Sequence, residues 1–122
     1  MNDQGRTYEG GLADSVAGAD GGGYRNFVAY QHSLTARFTI VYVSGEVEVA
    51  NPGVEARLSP ILDENPDVLL LRLDLIQRPG QWPQRLTWVP AMYVAPRIND
   101  GPFETAQIIH GEVTVVDIPF TR

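Results

Sequence analysis

From Tyr24 onward the chain alternates apolar and polar side chains in short runs, punctuated by four breaks centred on proline or glycine. The breaks are Asn51-Pro52-Gly53, Asn65-Pro66-Asp67, Arg78-Pro79-Gly80 and Asn99-Asp100-Gly101-Pro102. Each couples a proline, whose ring sets φ, with a glycine or a short polar residue that tolerates a turn. The runs between them have period two and are rich in β-branched residues, which is the pattern of strands, so the chain reads as all-β.

The individual runs differ in how many faces they bury. Tyr24 to His32 alternates weakly. Thr35 to Val43 is apolar on both faces, Phe38, Ile40 and Tyr42 opposing Thr39, Val41 and Val43, as in a strand covered on both sides. Past Ser44-Gly45 the alternation becomes clean, Val47 and Val49 against Glu46 and Glu48, so one face there meets water and Gly45 reads as a bulge in one long bent strand. Val54, Ala56 and Leu58 alternate with Glu55 and Arg57 in a strand joined to the previous one as a hairpin. Leu69, Leu71, Leu73 and Leu75 share a face opposite Arg72 and Asp74, which makes Val68 to Ile76 the strongest core strand, with Leu71 and Leu73 fully buried. Leu86, Trp88, Met92 and Val94 share the next apolar face, interrupted by Pro90, which points to an edge or a bulge. Thr105 to Ile109 and Glu112 to Phe120 form a last pair hinged at His110-Gly111.

This makes seven strands in one domain, residues 24–122. Two packed antiparallel sheets resembling an immunoglobulin-like sandwich fit best, a small closed β-barrel being the alternative. The resemblance is architectural only, since the chain has no cysteine pair. Residues 1–23 hold seven of the twelve glycines and few large apolar side chains, so they read as a flexible Gly-rich N-terminal arm, with a short helix from Leu12 to Ala19 as the alternative.

Composition narrows the chemistry more than it specifies it. At 122 residues the chain is long enough for a core without staples, and the absence of cysteine excludes disulfides and thiolate metal sites. All nine basic residues are arginine, which removes lysine Schiff bases and phosphate-loop lysines. The formal charge of −6 opposes nucleic acid and anionic membrane. No basic region followed by an apolar run opens the chain and no membrane-length apolar stretch occurs, so the expectation is a soluble, cytoplasmic protein.

No motif names a reaction. Asp63, Glu64 and Asp67 sit with Asn65 in one loop and offer the oxygen ligands that Ca²⁺ takes. They lack the EF-hand spacing, and an acidic turn that caps backbone groups is the stronger reading, so no cofactor is assigned. A histidine metal site would need His32 and His110, with Glu112, brought together from opposite ends of the chain. Ser33 and Ser44 lie in or beside strands, with no Gly-x-Ser-x-Gly elbow. Arg37 beside Phe38 and Tyr42 interleaves charge and aromatics as nucleic-acid-stacking sheets do, against the net charge. The segment from Arg78 to Arg85 places Trp82 between two prolines and two arginines, the composition of an interface anchor, or of a tryptophan folded back as a lid with an arginine stacked on it. The expected function is therefore binding rather than catalysis: a protein partner or self-association through Arg78, Trp82 and Arg85, or through the strand that carries Val41 and Tyr42 on its two faces. A carrier of a small apolar ligand is the second reading, and an enzyme the third.

Overall fold

The computed structural model describes residues 7–8, 11–12, 23–62 and 64–121. Two-residue strands β1 (Thr7–Tyr8) and β2 (Gly11–Leu12) pair antiparallel with each other. The other residues of the expected arm, apart from Gly23, lie outside the described residues, as does most of the alternative helix. Seven long strands follow: β3 (Tyr24–Thr35), β4 (Phe38–Val49), β5 (Val54–Ile61), β6 (Val68–Gln77), β7 (Thr87–Ile98), β8 (Thr105–His110) and β9 (Val113–Pro119). All four proline- or glycine-centred breaks fall in connections between them. The β3–β4 turn carries neither residue: Ala36-Arg37 turns with the Thr35 hydroxyl accepting from the Arg37 N–H, which is why Thr35 ends β3 instead of starting β4.

The strands form a three-stranded sheet in the order β3-β4-β7 and a four-stranded sheet in the order β5-β6-β8-β9, not closed into a barrel. The expected all-antiparallel pairing fails at one place. β6 and β8 run parallel, because β7 crosses between them in the other sheet and so supplies the long connection that parallel neighbours need. Beyond β9 the chain changes sheets, and Thr121 exchanges backbone hydrogen bonds with Ala29 and Gln31 on the β3 edge.

The core lies between the sheets. Val41, Val43, Val47 and Val49 from β4 and Ala91 from β7 meet Leu58, Leu69, Leu71, Leu73 and Ile108 from the other sheet. Leu71 and Leu73 are buried as the leucine period predicts. On β7 the large apolar residues turn the other way. Leu86, just before the strand, and Met92 and Val94 on it are exposed, while Ala91, Tyr93 and Ala95 face inward, because alignment with β4 sets Ala91 opposite Gly45 and Tyr93 opposite Val43.

Gly45 is not a bulge. Its pairing with β7 is continuous through Ala91, and the extra residue sits on the facing strand, where register shifts between Arg25 and Val28 and Asn26 takes φ 60°. Asparagine tolerates that left-handed conformation, and the bulge turns Phe27 onto Gly45. A Cβ on Gly45 would overlap the Phe27 ring. Gly45→Ala is therefore expected to cost about 1–3 kcal/mol in urea unfolding by displacing that ring. Because the two residues share one space, Gly45→Ala combined with Phe27→Ala should cost less than the sum of the single changes; simple additivity would show that the ring does not depend on the glycine.

Candidate functional site

The two outer faces of the sandwich differ in chemistry. On the four-stranded sheet the outer face is laced with charge: Arg57 pairs with Glu55 at 3.3 Å, Arg72 with Asp74 at 3.1 Å, and Gln107 donates to Asp117. On the three-stranded sheet the register stacks apolar residues in rows across all three strands. Tyr30, Tyr42 and Val94 make one row, Val28, Ser44 and Met92 another, and His32, Ile40 and Pro96 a third, with Phe38 opposite Ile98 beyond them. Tyr30, Tyr42, Met92, Val94 and Ile98 are exposed to 51, 43, 62, 53 and 56%. Charge returns at one end, where Arg25 donates to Glu46 at 2.8 Å and lies 3.9 Å from the Trp88 ring centre. That hydrogen bond, with a second from Asn26, holds the Glu46 carboxyl below the usual carboxylate range.

The sheet edges are guarded. Pro60 is on β5, Pro90 and Pro96 on β7, and Pro119 on β9, and a proline stays in a ladder only where its nitrogen faces away from the paired strand. These prolines withhold donors from any incoming strand. The remaining edge, β3, is partly occupied by Thr121.

A second feature opens at one end, where β5 and β7 lie side by side without hydrogen bonding. It is a cleft of about 390 Å³ with mostly apolar walls, among them Leu62, Leu69, Tyr93, Ala95 and Phe103, with Arg97 as its cation. Pro60 stands cross-strand from fully buried Leu71, yet is exposed because the cleft opens over it. Leu62 is 99% exposed at its rim. Arg97 donates from Nη2 to the Pro66 carbonyl at 2.8 Å and to that of Asp100 at 3.4 Å, and its guanidinium lies 3.5 Å from the Phe103 ring centre. The Phe103 wall is fixed from behind, since the buried Gln31 amide both donates to and accepts from the Phe103 backbone and Phe120 stacks on the ring. Burial pushes the Tyr93 phenol up.

The residues singled out from sequence are dispersed. Val41 is 1% exposed, on the β4 face that the second sheet covers, where it lines the floor of the end cleft; Tyr42 is on the uncovered face. Trp82 folds back on the β4–β5 turn. Its Nε1 donates to the Arg78 carbonyl at 3.0 Å, its ring occupies the place of a Gly53 side chain, and Arg78 lies over it while donating to the carbonyls of Pro52 and Gly53. This is the lid arrangement, with the ring still half-exposed. Arg85 is exposed. Of the acidic loop, Asp63 lies outside the described residues. Glu64 and Asp67 are exposed, and the Asn65 side chain accepts from the Asp67 N–H as an Asx turn. Among the described residues no three acidic or histidine side chains are grouped to hold a metal.

His110 bonds through Nδ1 to the Tyr24 hydroxyl at 3.0 Å, whereas His32 lies eight residues farther along β3, about 26 Å at strand rise, which separates the two histidines. The Ser33 hydroxyl bonds to that of Thr39, and Arg37 is exposed in the β3–β4 turn, to which its backbone N–H contributes a hydrogen bond. Sequence reasoning missed Met92, Val94 and Ile98 as surface residues, and missed Arg97 and Phe103 altogether. The signal for the first set was present: apolar residues share the parity of Pro90 and Pro96 along the whole of β7.

Comparison with known protein families, curated proteins and solved structures returned no match. No helix long and apolar enough to cross a membrane occurs among the described residues.

Proposed function

We propose that this chain is a binding protein that works through the outer face of its three-stranded sheet, and that the face is covered by a second copy of the same chain. The observation that carries this reading is the contrast between the two outer faces: one interleaves ion pairs, while the other stacks exposed aromatic and aliphatic residues in cross-strand rows without a charged side chain between the Glu46 row and the β3–β4 turn. Exposed apolar patches of this extent mark contact surfaces. Three strands about 4.8 Å apart and seven residues at about 3.3 Å give a flat footprint of roughly 300 Å² per copy before side-chain relief. Two copies face to face then bury roughly 600 Å² of flat footprint, and with side-chain relief approach the lower end of specific interfaces. A contact of this modest size is proposed to be weak, with a dissociation constant of about 10 μM. Proline-guarded edges favour this closed, two-fold face contact over open-ended strand pairing. The immunoglobulin-like comparison is kept at the level of two packed sheets, since the parallel β6–β8 pair departs from it.

Sedimentation across about 1–100 μM is the test, spanning the proposed dissociation constant. The expected result is a monomer–dimer equilibrium in the unmodified protein, and folded monomers for Val94→Asp and for Tyr42→Arg. A monomer at about 100 μM, ten times the proposed constant, would end the self-association reading and leave the face to a different protein.

A further inference from the structure

We propose that the end cleft is a second, independent binding site, and that its ligand is a small amphipathic carboxylate whose acid group pairs with Arg97 and whose apolar body lies along Leu69, Tyr93 and Ala95. The chain carries more carboxylates than cations, and Arg25, Arg57 and Arg72 each pair with one. Arg97 pairs with none among the described residues, although it is partly buried, where an uncompensated charge is costly. Its Nε and Nη1 are buried without any hydrogen-bond partner. Buried donors are normally satisfied, so this unsatisfied edge of the guanidinium calls for an acceptor.

The geometry suits a carboxylate more than a neutral acceptor. A carboxylate presents two oxygens to the planar fork of a guanidinium and supplies the missing negative charge. The bond to the Asp100 carbonyl is long at 3.4 Å, and carboxylate binding requires the side chain to give it up and turn its buried, unpartnered edge toward the cleft. The Phe103 wall does not have to move, since Gln31 and Phe120 hold it. At the ~30 Å³ that a water-sized group occupies in a liquid, a cleft of about 390 Å³ holds about a dozen non-hydrogen atoms, the size of a ten-carbon fatty acid. Exposed Leu62 at the rim provides an apolar cover for the tail.

Decanoate and decanol are the probes, with binding followed by calorimetry and by amide chemical shifts of Leu69 and Ala95. For a ligand of this size decanoate should bind saturably at about 100 μM, and decanol about tenfold more weakly for want of the charge. Arg97→Gln should erase that preference while keeping decanol binding. Ala95→Phe, which fills the cleft while keeping the arginine, should abolish both. Val94→Asp, on the outer face, should bind decanoate as the unmodified protein does, which separates this site from the dimer face. The proposal is overturned if decanoate shows no saturable binding to 1 mM, tenfold above the expected constant, or if the preference for acid over alcohol survives Arg97→Gln. It is equally overturned if binding survives Ala95→Phe but is lost in Val94→Asp.

Discussion

Val41→Arg is expected to leave the chain unfolded or aggregated at room temperature, whereas Tyr42→Arg, one residue away, is expected to fold with a stability within about 1 kcal/mol of the original. Val41 is 1% exposed in the middle of the inner face of β4. Among the described residues the core it would enter is apolar, with Val43, Leu69 and Leu71 in the same cluster and no carboxylate. The loss combines valine packing, overpacking by a longer side chain and an unpaired buried charge, and amounts to at least about 4 kcal/mol. Total stability for a domain is only about 5–15 kcal/mol, so little or none remains. Tyr42 is 43% exposed, and its replacement removes contact area only from the outer face. Circular dichroism melting of both variants decides the matter. A folded Val41→Arg beside an unfolded Tyr42→Arg would mean that the inner and outer faces of β4 are interchanged.

Leu71→Ala and Leu73→Ala are each expected to cost about 2–5 kcal/mol, through lost transfer energy and the cavity left behind. Leu71 is 0% exposed, with Leu58's partner Leu73 beside it along β6 and Ile108 as its parallel neighbour on β8. Collapse around the cavity is limited because strands on both sides of β6 hold it in place. Leu75 belongs to the same leucine period but is only half-buried near the end of β6, so Leu75→Ala should cost less than either. Urea midpoints at constant slope would measure the series. A loss under about 1 kcal/mol at Leu71 would show that this leucine face is not the centre of the core.

The candidate sites were less legible than the strands, and the reason differs from residue to residue. Trp82 between prolines has the composition of an interface anchor, but the same large ring also fills the space that Gly53 leaves open, and only the fold brings Gly53 beneath it. Arg97 looks like any other arginine in an alternating strand. What sets it apart is a set of partners distant in sequence, Pro66 before it and Asp100 and Phe103 after it, none of which forms a motif.

The sequence by itself determined the all-β class, the seven long strands, most of the turns and the leucine face of β6. Each rests on local chemistry: side chains alternate with period two along a strand, and prolines and glycines stop it. Only the tertiary structure decided which face of β4 and β7 turns inward. Both strands are apolar on both sides, so alternation leaves the choice open, and it is settled by register against neighbouring strands and by which side the second sheet covers. The same holds at Gly45. A glycine inside a strand signals either a bulge or a close approach, and the bulge belongs to the facing strand because Phe27 needs the space that the glycine leaves. The end cleft exists only because β5 and β7 lie together without pairing, a relation between segments far apart in the chain that no local pattern encodes.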